Sequence, residues 1–281
     1  MKVINNADIK DFCTYRLSGK IKKVVYPENE KELLQVIKSN KKYKVIGNGS
    51  NLVFLHDYDG VIIKMDKFNK ISFNENYLKV SAGVSLPKLA LLSANKGLSG
   101  IDAFTGIPGT IGGALYMNAG AYGKNISDVV ISTRVLDVDN FCIKELSKDE
   151  LLFGYRQSIF SIKNYICLDA TLKLKFCDKN EILNNIKKLS KKRSDSQPLN
   201  YPTAGSVFRN PKGDYAGRLI EKLGLKGMHI NDAFVSEKHA NFIINKGSAS
   251  GEDVKKLTHI IQKKVKDEYN IELIIEQEYI D

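Results

Sequence analysis

No apolar run in this 281-residue sequence approaches the ~18–20 residues needed to span a bilayer. The N-terminus, Met1 to Asp8, lacks the apolar core of a signal peptide, so a cytoplasmic protein is expected. Cysteine is scarce: Cys13, Cys142, Cys167 and Cys177 show neither CxxC nor metal-ligand spacing, which leaves them as isolated thiols. His56, His229, His239 and His259 are scattered and no HExxH occurs, so no metal site is expected. Two common nucleotide loops are also missing. Gly47-Asn-Gly49 is followed by Leu52 where the third glycine of GxGxxG should stand, and no GxxxxGK[ST] is present. Internal repeats and low-complexity segments are absent as well.

The length predicts two or three substructures, and a hydrophobic share of 43% allows a sizeable core. The formal charge of +11 raises a nucleic-acid reading. Much of it is lysine of the kind in Lys187-Lys-Leu-Ser-Lys-Lys-Arg193, which a solvated helix face explains equally well. Phe and Tyr do not alternate with the basic residues, and no nucleic-acid module is recognisable. No nucleic-acid partner is therefore expected, while polyanionic small substrates remain compatible with the charge.

Glycine is the residue present in an informative pattern. Between Thr105 and Gly123, Gly106, Gly109, Gly112, Gly113 and Gly120 crowd together, with Pro108 stiffening the entry. Glycine lets backbone approach closely, and successive free N–H groups can cradle a phosphate. A smaller loop, Gly47-Asn-Gly-Ser-Asn-Leu52, lies upstream. Two such loops on one chain point to a ligand with a long pyrophosphate, such as a dinucleotide.

The elements around these loops predict an α+β fold. Val24 to Pro27, Tyr43 to Ile46, Gly60 to Lys64, Tyr77 to Ser81 and Val129 to Val138 read as strands, and Ile166 to Phe176 alternates as a half-buried one. Helices are expected over Glu28–Ser39 and over Ser85–Asn95, the second with Ser85 as cap and Pro87 in its first turn. Asp178 with Glu181 opens another helix, linking two domains before the polar Ser194–Pro202. Ser250 to Tyr269 is the clearest helix, carrying Val254, Leu257, Ile260, Ile261 and Val265 on one face, and Ile271 to Ile280 reads as a closing strand.

The two glycine loops together closely resemble those of the UDP-N-acetylenolpyruvoylglucosamine reductase (MurB) family. The likeness continues in order through Phe153-Gly-Tyr-Arg-Gln-Ser-Ile-Phe160, Ala204 to Pro211, Ala216 to Ile220, Gly224 to Gly227 and His239-Ala-Asn-Phe-Ile243. It departs at Ser18-Gly19, where the family has a glycine pair, and at Leu273-Ile-Ile-Glu276-Gln277, where it has Leu-Glu-Pro-Glu-Val. The short spacing from Arg156 to Ser206 resembles the compact branch, which lacks an extra substrate loop.

The resemblance implies two FAD-binding subdomains of the vanillyl-alcohol oxidase and p-cresol methylhydroxylase type (residues 1–65 and 66–178), a linking helix (179–195) and a substrate domain (196–281). It implies non-covalent FAD held by Gly47, Asn48, Gly49, Ser50, Asn51 and Leu52 on one side and by Pro108, Gly109, Thr110, Gly112 and Gly113 on the other. NADPH would reduce the flavin, which would pass hydride to C3 of the enolpyruvyl ether of UDP-N-acetylglucosamine, giving UDP-N-acetylmuramate for peptidoglycan. Arg156 would grip the substrate carboxylate, Ser206 would protonate C2, and Glu276 would assist, with Glu272 and Glu278 as competing neighbours. Tyr155, Arg209 and Asn210 would touch substrate, and the enzyme would act as a monomer. Two other readings are an oxidase of the same fold, which needs neither Ser206 nor Arg156, and a non-catalytic nucleotide- or nucleic-acid-binding protein.

Overall fold

The computed structural model describes all 281 residues. They form two compact units, one of Met1–Val3, Val24–Gly47 and Ile62–Arg193, the other of Ile4–Lys23, Asn48–Val61 and Ser194–Asp281. Neither unit is one continuous stretch of chain. The first glycine loop is divided between them, Gly47 falling in one and Asn48 onward in the other.

The first unit is built on an antiparallel sheet with strands in the order Cys142–Ser147, Val130–Asp137, Tyr165–Lys173, Tyr77–Ser81, Ile71–Asn74. In the Tyr165–Lys173 strand, Ile166, Leu168, Ala170 and Leu172 are buried as their alternation predicts. Cys167 and Asp169 on the opposite face are buried too. Asp169 is compensated there by Arg134 Nη1 at 2.7 Å, whose Nη2 reaches Glu30 at 2.8 Å in the first turn of helix α1 (Glu30–Ser39). The strand stops at Lys173, short of the expected Phe176. Leu174 N–H turns aside to Asn76 O, and Lys175–Phe176 pairs with Leu98–Ser99 instead.

Helix α2 (Leu86–Asn95) has Pro87 in its first turn, but the Ser85 side chain makes no capping bond. Helix α3 (Ile111–Tyr116) rises inside the glycine-rich stretch, where the sequence suggests only loop. Helix α4 (Lys179–Ser196) is opened by Asp178, whose Oδ1 accepts Glu181 N–H at 2.9 Å. It buries Ile182 and Ile186 against Ala94 of α2 and ends at Ser196, within the polar Ser194–Pro202 segment.

The second unit carries helix α5 (Ala216–Lys222), helix α6 (Gly251–Tyr269) and a three-stranded antiparallel sheet of His229–Ile230, Ala233–Val235 and Ile243–Asn245. Helix α6 buries Val254, Leu257, Thr258, Ile261 and Val265, while Ile260 lies at the half-buried margin. Ser250 and Asp253 form a reciprocal capping box at its start. Removing the cap hydroxyl frees one helix N–H, so Ser250→Ala is expected to lower stability by ~1 kcal/mol in a urea melt. The expected closing strand is mostly irregular. Only Glu278–Ile280 pairs continuously, in parallel with Leu52–Phe54, and Ile275 makes a single bridge to Phe208. No helix is long and apolar enough to cross a membrane.

Candidate active site

In the first unit the strand Tyr43–Ile46 delivers Gly47 to the second glycine loop. A Cβ on Gly47 would overlap Thr110 Oγ1, so the close approach of the loops itself demands glycine here. The buried Lys64 donates its ammonium to Gly47 O and pairs with Asp66 at 3.2 Å. Thr110 is the N-cap of α3 and accepts Gly113 N–H at 3.3 Å. Ile111 and Gly112 donate to Val84 O and Ala82 O, and Gly109 O accepts from Leu86. The N–H groups of residues 111 to 113 thus serve the chain rather than forming an open phosphate nest.

Beside α3, Gly154 and Gln157 exchange backbone hydrogen bonds at 2.9 and 3.3 Å, leaving Tyr155 and Arg156 at the tip of a two-residue turn. Asn118 Nδ2 donates to Gly154 O at 2.9 Å, and Ser158 Oγ donates to Tyr116 O at 2.7 Å. The turn is therefore fastened to the end of α3. Arg156 is held at φ +55°, Nη2 reaches Gly120 O at 3.4 Å, and its guanidinium lies 5.3 Å from the Tyr155 ring centroid. Tyr155 is 56% exposed.

The second unit holds the rest of the first glycine loop. Gly49 has φ +66°, and a Cβ there would strike Phe12 O. Its own carbonyl accepts Thr14 N–H at 3.2 Å. Thr14 Oγ1 is buried with no partner in the chain, an orphaned hydroxyl directly beside the loop. Asn51 Nδ2 donates to Glu276 O at 3.1 Å, Asn51 O accepts from Glu278 N–H at 2.9 Å, and Leu52 pairs with Glu278.

Ser206 to Arg209 is gripped from two sides. On one side Ser206 bridges Phe242, Val207 N–H donates to Asn241 O, and the buried Asn241 amide brackets Phe208 N–H and C=O at 3.0 and 2.8 Å. On the other, Glu276 N–H donates to Val207 O at 2.8 Å and Arg209 N–H to Ile274 O at 2.9 Å. Glu276 is thereby fixed one residue along the ladder from Ser206. Glu272 is exposed, and Glu278 belongs to the Asn51 loop. Asn210 Oδ1 accepts Ala216 N–H at 3.1 Å at the start of α5, a structural bond for a residue expected at substrate. Arg209 has a buried Nε without a partner in the chain. A cavity of about 480 Å³ opens nearby in sequence, lined by Gln197, Leu199, Tyr201, Glu237, Lys238 and Lys246 among others.

The residues singled out in the sequence thus fall into two groups. Gly47, Pro108 to Gly113, Tyr155 and Arg156 lie in one unit, and Asn48 to Leu52, Ser206, Arg209, Asn210 and Glu276 in the other. Sequence reasoning missed Lys64, Thr14, Asn241 and the cavity. Asn241 lies within a quoted motif, and Lys64 closes an otherwise apolar strand, which was the available signal for a buried cation.

Two family models match: the UDP-N-acetylenolpyruvoylglucosamine reductase C-terminal domain over residues 197–280, and an FAD binding domain over residues 21–142. The chain is 42% identical over 276 residues to the UDP-N-acetylenolpyruvoylglucosamine reductase of Clostridium tetani, covering 96% of this chain and 90% of that one. It is 40% identical over 287 residues to that of Caldicellulosiruptor bescii, covering 100% and 91%. The chain belongs to the UDP-N-acetylenolpyruvoylglucosamine reductase family. A crystal structure of this reductase from Thermus caldophilus matches with a TM-score of 0.87 and 34% identity over all of both chains. A weaker likeness to 6-hydroxy-D-nicotine oxidase of Arthrobacter nicotinovorans, TM-score 0.51 at 16% identity over 62% of this chain and 42% of that one, shares the fold alone. As a member of the reductase family the chain is an FAD-dependent oxidoreductase with an α+β fold of the vanillyl-alcohol oxidase type. The residues of the second unit suit FAD: beside the Gly49 loop the orphaned Thr14 hydroxyl is a donor left for an anionic group.

Proposed function

We propose that this chain reduces the enolpyruvyl ether of UDP-N-acetylglucosamine to UDP-N-acetylmuramate in peptidoglycan precursor synthesis, with NADPH as the source of hydride. Family membership supports the reaction class. The observation that carries the residue-level reading is the backbone ladder that sets Glu276 beside Val207 and so next to Ser206.

Bound FAD supplies two-electron chemistry, taking hydride from the nicotinamide and giving it to vinyl C3 of the substrate. By the family likeness Gly47 to Leu52 and Pro108 to Gly113 would line the FAD site, with the Thr14 hydroxyl as a donor beside Gly49. Hydride addition at C3 places negative charge on C2 and the attached carboxylate. Arg156 answers that charge with a guanidinium that stays protonated and offers two parallel donors. Ser206 then delivers a proton to C2, and Glu276 tunes the developing enol. The half-exposed Tyr155, together with Arg209 and Asn210, orients the substrate. Lys238 and Lys246 in the cavity are suited to a diphosphate. The enzyme would work as a cytoplasmic monomer without a nucleic-acid partner.

An anaerobic visible spectrum tests the reading. The flavin band is expected to bleach on addition of NADPH and to return when the enolpyruvyl substrate is added. Recovery with oxygen but not with this substrate would replace the reductase assignment with an oxidase. A colourless protein that FAD does not reconstitute would overturn both.

A further inference from the structure

Glu276, Gln277 and Glu278 are consecutive, yet only the middle side chain is buried, at 6% exposure. Gln277 lies against Tyr15, a fully buried residue 262 positions away in sequence. Its Oε1 accepts the Tyr15 hydroxyl at 3.2 Å, and its Nε2 is 3.3 Å from both Ala204 O and Gly205 O. Nε2 is also 3.1 Å from the Tyr15 oxygen. A primary amide offers two N–H donors and one carbonyl acceptor. Giving both donors to the two carbonyls and the acceptor to the phenol uses the whole group. Burial pushes the Tyr15 phenol well above its ordinary range, so it remains an O–H donor.

Tyr15 is itself fastened. Asn245, in the strand Ile243–Asn245, donates Nδ2 to Tyr15 O at 3.0 Å and to Arg16 O at 3.3 Å. Gln277 therefore transmits the position of the small sheet to the Ala204–Gly205 turn. Thr203 Oγ1, which donates to Ile243 O at 2.7 Å, and the Ser206 bridge to Phe242 hold the chain on either side, while Gln277 holds the two carbonyls between them. Gly205 stands at φ +77°, and no atom lies within 4 Å of the place a Cβ would occupy. The carbonyl of Gly205 shares one rigid peptide plane with the Ser206 nitrogen. Holding that carbonyl fixes the Ser206 nitrogen and Cα, and with the main-chain bridge to Phe242 it limits where the Ser206 side chain can point.

We propose that Gln277 is a positioning residue for Ser206, aiming its hydroxyl through hydrogen bonds to the Ala204 and Gly205 carbonyls while anchored on Tyr15. This rests on the reading of Ser206 as proton donor to C2. A misaimed donor leaves reduction by NADPH intact and slows net flavin reoxidation by substrate, because an enolate left unprotonated at C2 gives its hydride back. That selectivity separates aiming from general support of the fold.

The test uses FAD-loaded enzyme reduced with dithionite without oxygen, then mixed with enolpyruvyl-UDP-N-acetylglucosamine in a stopped-flow spectrometer. Gln277→Met keeps the length and volume and removes every hydrogen bond. Its flavin reoxidation is expected to slow ~10–100-fold, because sub-ångström misplacement of a reacting group has effects of that order. Reduction by NADPH and the substrate concentration giving half-maximal rate should change less than threefold, roughly the scatter of a neutral substitution. On a Ser206→Ala background the same change should add nothing, since both act on one proton transfer.

Wild-type reoxidation in Gln277→Met, with Ser206→Ala slow, would overturn the inference and leave the serine reading standing. Equal slowing on both backgrounds would also overturn it, by showing that Gln277 acts elsewhere. Fast reoxidation in Ser206→Ala would remove the serine reading and this one with it. Should Gln277→Met fail to fold, Tyr15→Phe removes one hydroxyl and leaves the ring. It is expected to slow reoxidation severalfold with the same dependence on Ser206, and a wild-type rate there would count against the proposal.

Discussion

Ser206→Ala is expected to bind FAD and accept hydride from NADPH at the wild-type rate, and to lose turnover with the enolpyruvyl substrate by ~10²–10⁴-fold, the usual contribution of a positioned acid. The physical basis is the separation of the serine's backbone role from its side-chain role. Its main chain bridges Phe242, and the following residues are locked by Asn241 on one side and Ile274 to Glu276 on the other. Alanine satisfies each of those bonds equally well. No intramolecular hydrogen bond of the Ser206 hydroxyl supports the turn, so thermal unfolding should move by less than the ~0.5 kcal/mol typical of a neutral site. Stopped-flow traces of the two half-reactions, with a melting curve beside them, check this. A variant turning over within a few-fold of wild type would show that C2 receives its proton from another group.

How far such a site can be read from sequence depends on how local its causes are. Helix α6 was legible because its start signal, Ser250 with Asp253, and its apolar period occupy one stretch of chain. The same holds for Asp178 with Glu181 at the head of α4. Helix α3 was not legible. Gly112 and Gly113 each disfavour helix by ~1 kcal/mol relative to alanine, and the turn forms because Thr110 caps it and residues 82 and 84 supply carbonyls. The closing segment 271–280 failed in the opposite direction. Its isoleucines and Leu273 suit a strand, but its partners are a single bridge to Phe208 and a short ladder to Leu52–Phe54. The glutamates had the same character: three acidic residues share one local context, Asn51 bonds the main chain of both Glu276 and Glu278, and only the distant Val207 sets Glu276 apart. Ordered motifs made the family legible, while Lys64 against Gly47 and Tyr15 against Gln277 depend on contacts that no window of sequence contains.

Arg156→Ala is expected to lower substrate-dependent flavin reoxidation by ~10²–10³-fold, the scale for removing a charge-stabilising donor from a preorganised site. Flavin reduction by NADPH should change little. Alanine is the informative replacement because position 156 stands at φ +55°, where any residue with a Cβ bears the same backbone strain. Glycine would relieve that strain and alter the Gly154–Gln157 turn, confounding the loss of charge with a change of shape. With alanine, the bonds from Asn118 and Ser158 keep the turn on α3, so the measured loss belongs to the guanidinium. Arg156→Lys supplies the second half of the argument. It restores a positive charge without the planar pair of donors, so it should recover part of the rate if the field alone matters and almost none if bidentate geometry does. If alanine retains near wild-type reoxidation, the charge developing on the carboxylate is met elsewhere, and Arg156 serves the fold through contacts such as those with Gly120 O and the Tyr155 ring.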